Sequence, residues 1–150
     1  MKAKILAILL LVAAGCGLHH AQAQISVKSQ TPYKVIKTIR MGYVKVSQTG
    51  DRISLVLRST NDFEDPLLVF LGNSPEQAAA TMDGIVDLYQ VIDKGVTTFD
   101  GPDGARHDVT RGMSGNMYFI GTGKAGDFIM GKGEAKRCAE AIRKLIPPEK

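Results

Sequence analysis

The residues able to do chemistry are few, and most of them stand alone. Beyond residue 23 the chain has one histidine, His107, and one cysteine, Cys138. A structural zinc site needs four nitrogen or sulfur ligands, and a catalytic triad needs a histidine held between a nucleophile and a carboxylate. One His and one Cys cannot furnish the zinc set. His107 falls opposite Phe99 in the hairpin register derived below, which reads as one ring packed beside another. Cys138 lies in the middle of a helical apolar stripe. Reactive thiols sit at helix N-termini or beside a base, so Cys138 reads as a small buried hydrophobe. Two groups of acids, Asp62, Glu64 and Asp65, then Asp100, Asp103 and Asp108, could offer oxygens to calcium or a carboxylate pair to a glycosidic bond. Neither has the spacing of an EF-hand loop, and solvated loops and turns account for both.

The glycine loop Gly121-Thr122-Gly123-Lys124-Ala125-Gly126 matches G-x-G-x-x-G. In a dinucleotide site that loop must open a helix, whose N-terminus holds the pyrophosphate. Here Asp127 to Met130 reads as a strand. A strand–loop–strand glycine loop is similar to that of protein kinases, yet no H-R-D or D-F-G follows it. The stretch Gly126 to Gly133 mimics a P-loop, but Gly133 stands where Ser or Thr must ligate magnesium. The sequence therefore points to no nucleotide, no cofactor and no metal.

Charge narrows the partners. Removing Lys2 and Lys4 from the 19 basic residues leaves 17 against 15 acids, a net +2. That excess is too small to imply nucleic acid. Its distribution is uneven: residues 24–58 hold seven Lys/Arg against Asp51, and residues 59–108 hold ten acids against Lys94 and Arg106. Opposite-sign segments that simply face water explain this pattern. The sharper reading is a basic sheet face, with Tyr43, Lys45 and Arg58 as candidate ligand-facing residues, for an envelope polymer or an acidic protein partner.

Residues 1–23 read as an export signal. Lys2 and Lys4 form the positive region, Ile5 to Ala14 an apolar core too short to span a bilayer, and Ala21-Gln22-Ala23 a cleavage site before Gln24. The rival is a lipoprotein box ending at Cys16, which would carry a lipid anchor. No later segment is long enough to be a membrane span.

The elements that must position these residues follow from periodicity. Ile25 to Val27 and Tyr33 to Ile39 are strand-like. With Gln48 to Asp51 as the turn, Val46 faces Ile53, Val44 faces Leu55, Lys45 faces Ser54 and Met41 faces Arg58. Apolar pairs then share one side. Leu67 to Leu71 is an unbroken apolar run, the mark of a strand covered on both faces. Ser74, Pro75 and Gln77 open a helix carrying Ala78, Met82, Ile85, Tyr89 and Ile92 on one face, closed at Lys94-Gly95. Pro102-Asp103-Gly104 closes a hairpin with Phe99 opposite His107, Thr97 opposite Val109 and Asp100 opposite Arg106. Met117 to Ile120 and Asp127 to Met130 form another. A second helix, about Gly133 to Ile146, carries Ala135, Cys138, Ala139, Ile142, Leu145 and Ile146 as one apolar stripe.

These elements predict one α+β domain over 24–150: an antiparallel sheet of about six to seven strands with two helices packed on one face, in two similar meander-plus-helix halves. The expected role is non-catalytic, a binding or accessory protein of the periplasm or cell surface. A small envelope hydrolase using the loop carboxylates with His107 is the alternative, as is a lipoprotein anchored at Cys16. The helices carry opposite charge, Asp83 and Asp87 against Lys136, Arg137, Arg143 and Lys144, whose margins would attract if they lie side by side.

Overall fold

In the computed structural model, which describes residues 31–60, 64–93, 95–120 and 125–148, the apolar alternation of the first strands sets the architecture. Val44 and Val46 on β2 (Val44–Thr49) and Ile53, Leu55 and Leu57 on β3 (Arg52–Leu57) are wholly buried on one face. Each such aliphatic side chain withdrawn from water stabilises the fold by about 1.5–3 kcal/mol. Together with β1 (Tyr33–Ile39) and β4 (Leu67–Gly72) they form an antiparallel meander in the order β1-β2-β3-β4. Helix α1 (Pro75–Val91) follows. The pattern then repeats: β5 (Val96–Asp100), β6 (Arg106–Arg111), β7 (Met117–Ile120) and β8 (Ala125–Met130) form a second meander, followed by α2 (Lys132–Arg143).

The class is α+β, as the sequence implies, but the sheet is not single. The six to seven strands expected in one sheet are, among the described residues, eight in two sheets of four, and β4 and β5, joined through α1, lie in different sheets. The two meander-plus-helix halves are present as topology. In packing they interlock, because α1 lies against β3 and β4 while α2, from the second half, lies against β1 and β2. Both helices thus cover the inner face of the first sheet side by side. Arg143 of α2 pairs with Asp83 of α1, joining the margins of opposite charge. One buried cluster runs through both sheets and both helices, from Val44 and Met82 to Phe119, Met130 and Ile142.

Local signals fare unevenly. Ser74 caps α1 by accepting the Gln77 N–H at 3.2 Å, while the Gln77 side chain accepts from the N–H of Asn73 at 3.0 Å. The helix ends at Val91 with Ile92 extended, not at the left-handed glycine cap expected at Gly95; Lys94 lies outside the described residues. The β5–β6 register is the expected one, with Phe99 opposite His107, Thr97 opposite Val109 and Asp100 opposite Arg106. Gly104 takes φ +77, which the left-handed residue of that three-residue turn requires.

The β2–β3 hairpin is a correction. Val44 pairs with Leu57, Val46 with Leu55, and Lys45 with Val56, two residues along from the expected register. The turn is the tighter Gly50-Asp51, in which only the first residue has positive φ, +59, as a type II′ turn demands. A two-residue slip leaves every side chain on its face, so hydrophobic patterning alone does not detect it. The strand expected at Ile25–Val27, the leader with Cys16, and Gly121 to Lys124 lie outside the described residues. Among the described residues no helix is long and apolar enough to cross a membrane.

Candidate functional site

With both helices on its inner face, the first sheet turns its other face outward, and strand register assigns that face row by row. Tyr33 of β1 is paired with Thr49 and Thr49 with Arg52. In the next row Val35, Ser47, Ser54 and Phe70 stand side by side. The row beyond runs Lys45, Val56, Leu68. Past it, the Arg58 N–H donates to the Tyr43 carbonyl at 2.9 Å, which sets these two residues opposite each other at the end of the hairpin. Successive rows are two residues, or about 7 Å, apart.

The first three rows, apart from Val35 and Lys45, floor a groove of about 640 Å³, walled by Asp65 and Pro66 at the start of β4 and by Asp103 and Ala105 from the β5–β6 turn; Tyr43 and Arg58 lie beyond it. Leu68 is 62 % exposed and Tyr33 61 %, the condition of apolar surface awaiting a cover. Phe70 is covered, but by a charge: the Arg52 guanidinium sits 4.2 Å above its ring and lies 3.6 Å from the Asp103 carboxylate. A cation held so over an aromatic face contributes about 0.5–1 kcal/mol at an exposed site. Arg52 is therefore occupied at one end of the groove. Lys45 and Arg58, just past the other end, have no ion-pair partner among the described residues.

Of the three candidate ligand-facing residues, Lys45 and Arg58 follow the outer-face alternation of β2 and β3, and Tyr43 stands opposite Arg58, where Met41 is the expected neighbour; none of the three belongs to the groove's lining. Sequence reasoning misses Leu68, Phe70 and Arg52. The signal is present in the sequence: Leu67 to Leu71 is apolar at every position, the pattern of a strand covered on both faces. It is an edge strand, covered on both faces from Val69 to Leu71: Val69 and Leu71 enter the core, Phe70 is buried on the outer side, and Leu68 alone is open. Apolar side chains on the solvent side of an edge strand are a binding-surface signal.

The other chemistry-bearing residues are dispersed. His107 stacks on Phe99 with ring centroids 5.1 Å apart, as expected, and its buried Nε2 has no hydrogen-bond partner among the described residues. Burial holds its pKa below the usual histidine value, against the opposing pull of Asp103 and Asp108. Cys138 is wholly buried in the α2 stripe, and burial followed by the nearby Glu134 charge pushes its thiol up to about 12. At neutral pH it is a thiol and a packing residue, not a nucleophile. Asp100 pairs loosely with Arg106 at 3.7 Å, Asp108 accepts from Thr98, and Asp62 lies outside the described residues. No group of three or more His, Cys, Asp or Glu converges on a metal-sized site among the described residues.

A polar cluster that the sequence does not announce ties the halves together. Arg40 donates to Glu134 through Nε at 2.8 Å and Nη2 at 2.5 Å, and to the Ile129 carbonyl at 2.7 Å. Burial raises the Glu134 pKa, but the Arg40 hydrogen bonds and the Gly131 N–H outweigh it, leaving the carboxyl below its usual range. Tyr89 of α1 donates to the Met130 carbonyl at 2.5 Å, and burial pushes its phenol well above the usual value. All of these are structural ties.

Comparison with known protein families, with curated proteins and with solved structures finds no match to this chain.

Proposed function

We propose that the protein is a non-catalytic binding or accessory protein of the cell envelope, periplasmic or at the cell surface, that holds an apolar ligand on the outer face of its first sheet. The observation that carries this reading is the groove itself. Its volume of about 640 Å³ falls in the range of small-molecule sites, and its floor mixes Val56, Leu68 and Phe70 with the hydroxyls of Ser47 and Ser54. The export signal read at residues 1–23 supplies the compartment. His107 is packed on Phe99 with its Nε2 buried, which favours binding over the hydrolase alternative.

The neutral dye N-phenyl-1-naphthylamine tests the reading. It should bind the purified protein saturably, with enhanced fluorescence. Leu68→Asp should weaken binding at least about tenfold, since one buried leucine is worth more than a factor of ten, and should leave the circular dichroism spectrum unchanged. Absence of saturable binding, or equal binding by the Leu68→Asp variant, would rule the groove out as the site.

A further inference from the structure

The groove has chemical polarity along its length, and this bears on what it holds. At one end the floor is Phe70, capped by Arg52, whose charge is already engaged by Asp103 at 3.6 Å. Through the middle run Val56 and Leu68, side by side across β3 and β4. Just past the groove's lining at the Val56 end stand Lys45, paired directly with Val56, and Arg58 two residues beyond it on the chain, neither in an ion pair among the described residues. At that same end the groove wall carries Asp65, which among the described residues is in no ion pair. An apolar body lying over Val56 and Leu68 would bring a terminal negative charge to Lys45 and Arg58.

Resting on the groove as the binding surface, we infer that its ligand class is the free, single-chain anionic amphiphile: an alkyl or aryl body with a carboxylate or phosphate-like head. The apolar body supplies most of the affinity and the two cations orient it. Charge complementarity at an open rim adds a few-fold in affinity and decides which head group is preferred.

Calorimetric titration of the purified protein with monomeric decanoate and with decyltrimethylammonium separates the terms, since the chains match and the charges are opposite. Decanoate should bind more tightly, and added salt should reduce its advantage. Lys45→Glu and Arg58→Glu should each weaken decanoate about fivefold, whereas Asp65→Asn should tighten it about twofold. A change of fold would move all three variants in one direction, so opposite signs identify electrostatic recognition. Equal or tighter binding of decyltrimethylammonium, or decanoate affinity indifferent to all three substitutions, would overturn the inference while leaving the groove's apolar binding intact. Association with phosphatidylglycerol vesicles without binding of monomeric decanoate would also overturn it. Failure of the neutral dye and of both decyl ligands would instead remove the binding reading altogether.

Discussion

His107 sets how the fold responds to acid. Its Nε2 is buried without a hydrogen-bond partner among the described residues, and its ring lies on Phe99, so the neutral imidazole is the form the structure accepts. Burial lowers its pKa in the folded state below the unfolded value of 6.5; Asp103 and Asp108 oppose that shift without cancelling it. The unfolded chain therefore binds this proton more readily. Stability should be complete above pH 6.5 and fall as the pH drops through 6.5 toward the lower folded value. Glu134 adds a second decline at more acid pH, because its folded pKa lies below 4.5 and its contribution is lost only as pH falls through that lower value. Thermal melting between pH 7 and 5 should show the first decline, and His107→Leu should flatten it while sparing the second. A His107→Leu profile parallel to that of the wild type would exclude this account. The Phe99–His107 pairing is legible in sequence, since Pro102-Asp103-Gly104 dictates the hairpin closure. The missing partner of Nε2 is not, because it depends on what every other element fails to bring near.

Among the elements, the β1–β2 connection departs furthest from what its sequence suggests. Arg40 and Met41 both take φ +49, and Gly42 follows at +97. Side chains at such angles cost about 1 kcal/mol or more each, and only Gly42 is suited to the position. The turn is held because Arg40 is clamped by Glu134 of α2 and by the Ile129 carbonyl of β8. Met41 itself is 95 % exposed and packs against little. Met41→Gly should therefore stabilise the protein by about 0.5–1 kcal/mol through relief of strain, and Arg40→Ala should destabilise it by about 1–3 kcal/mol by leaving Glu134 half-paired. Urea midpoints measure both; a Met41→Gly midpoint at or below that of the wild type would show that the turn stores no strain. Sequence patterning could not find this element, since nothing within residues 40–42 encodes it. Its determinants lie some 90 residues away. By contrast, Ser74-Pro75 announces the start of α1 locally and is legible for that reason. The outer face of β4 is an intermediate case: its apolar run is plain to read, but whether Leu68 meets a helix or water depends on which side both helices choose.

At the scale of the molecule, the question is whether two ββββα halves make one cooperative body or two. The packing answers through the exchanged position of α2, which lies on β1 and β2 of the first half while its preceding strand β8 lies in the second sheet. Met82 of α1, wholly buried, belongs to the cluster that also holds Phe119 and Phe128. The helix-to-helix ion pair is a weaker tie, for Asp83 and Arg143 are each nearly half exposed and such pairs contribute at most about 1 kcal/mol. Met82→Ala should cost about 2–5 kcal/mol, and Asp83→Asn less than about 1 kcal/mol. The informative reading is spatial. Under native conditions Met82→Ala should accelerate hydrogen exchange at the most protected amides of β2 and of β7 by the same factor, because both would open only through global unfolding. Acceleration confined to β2, with β7 unchanged, would mean that the second meander keeps its stability alone, and that the interlocked helices join two folding units instead of one.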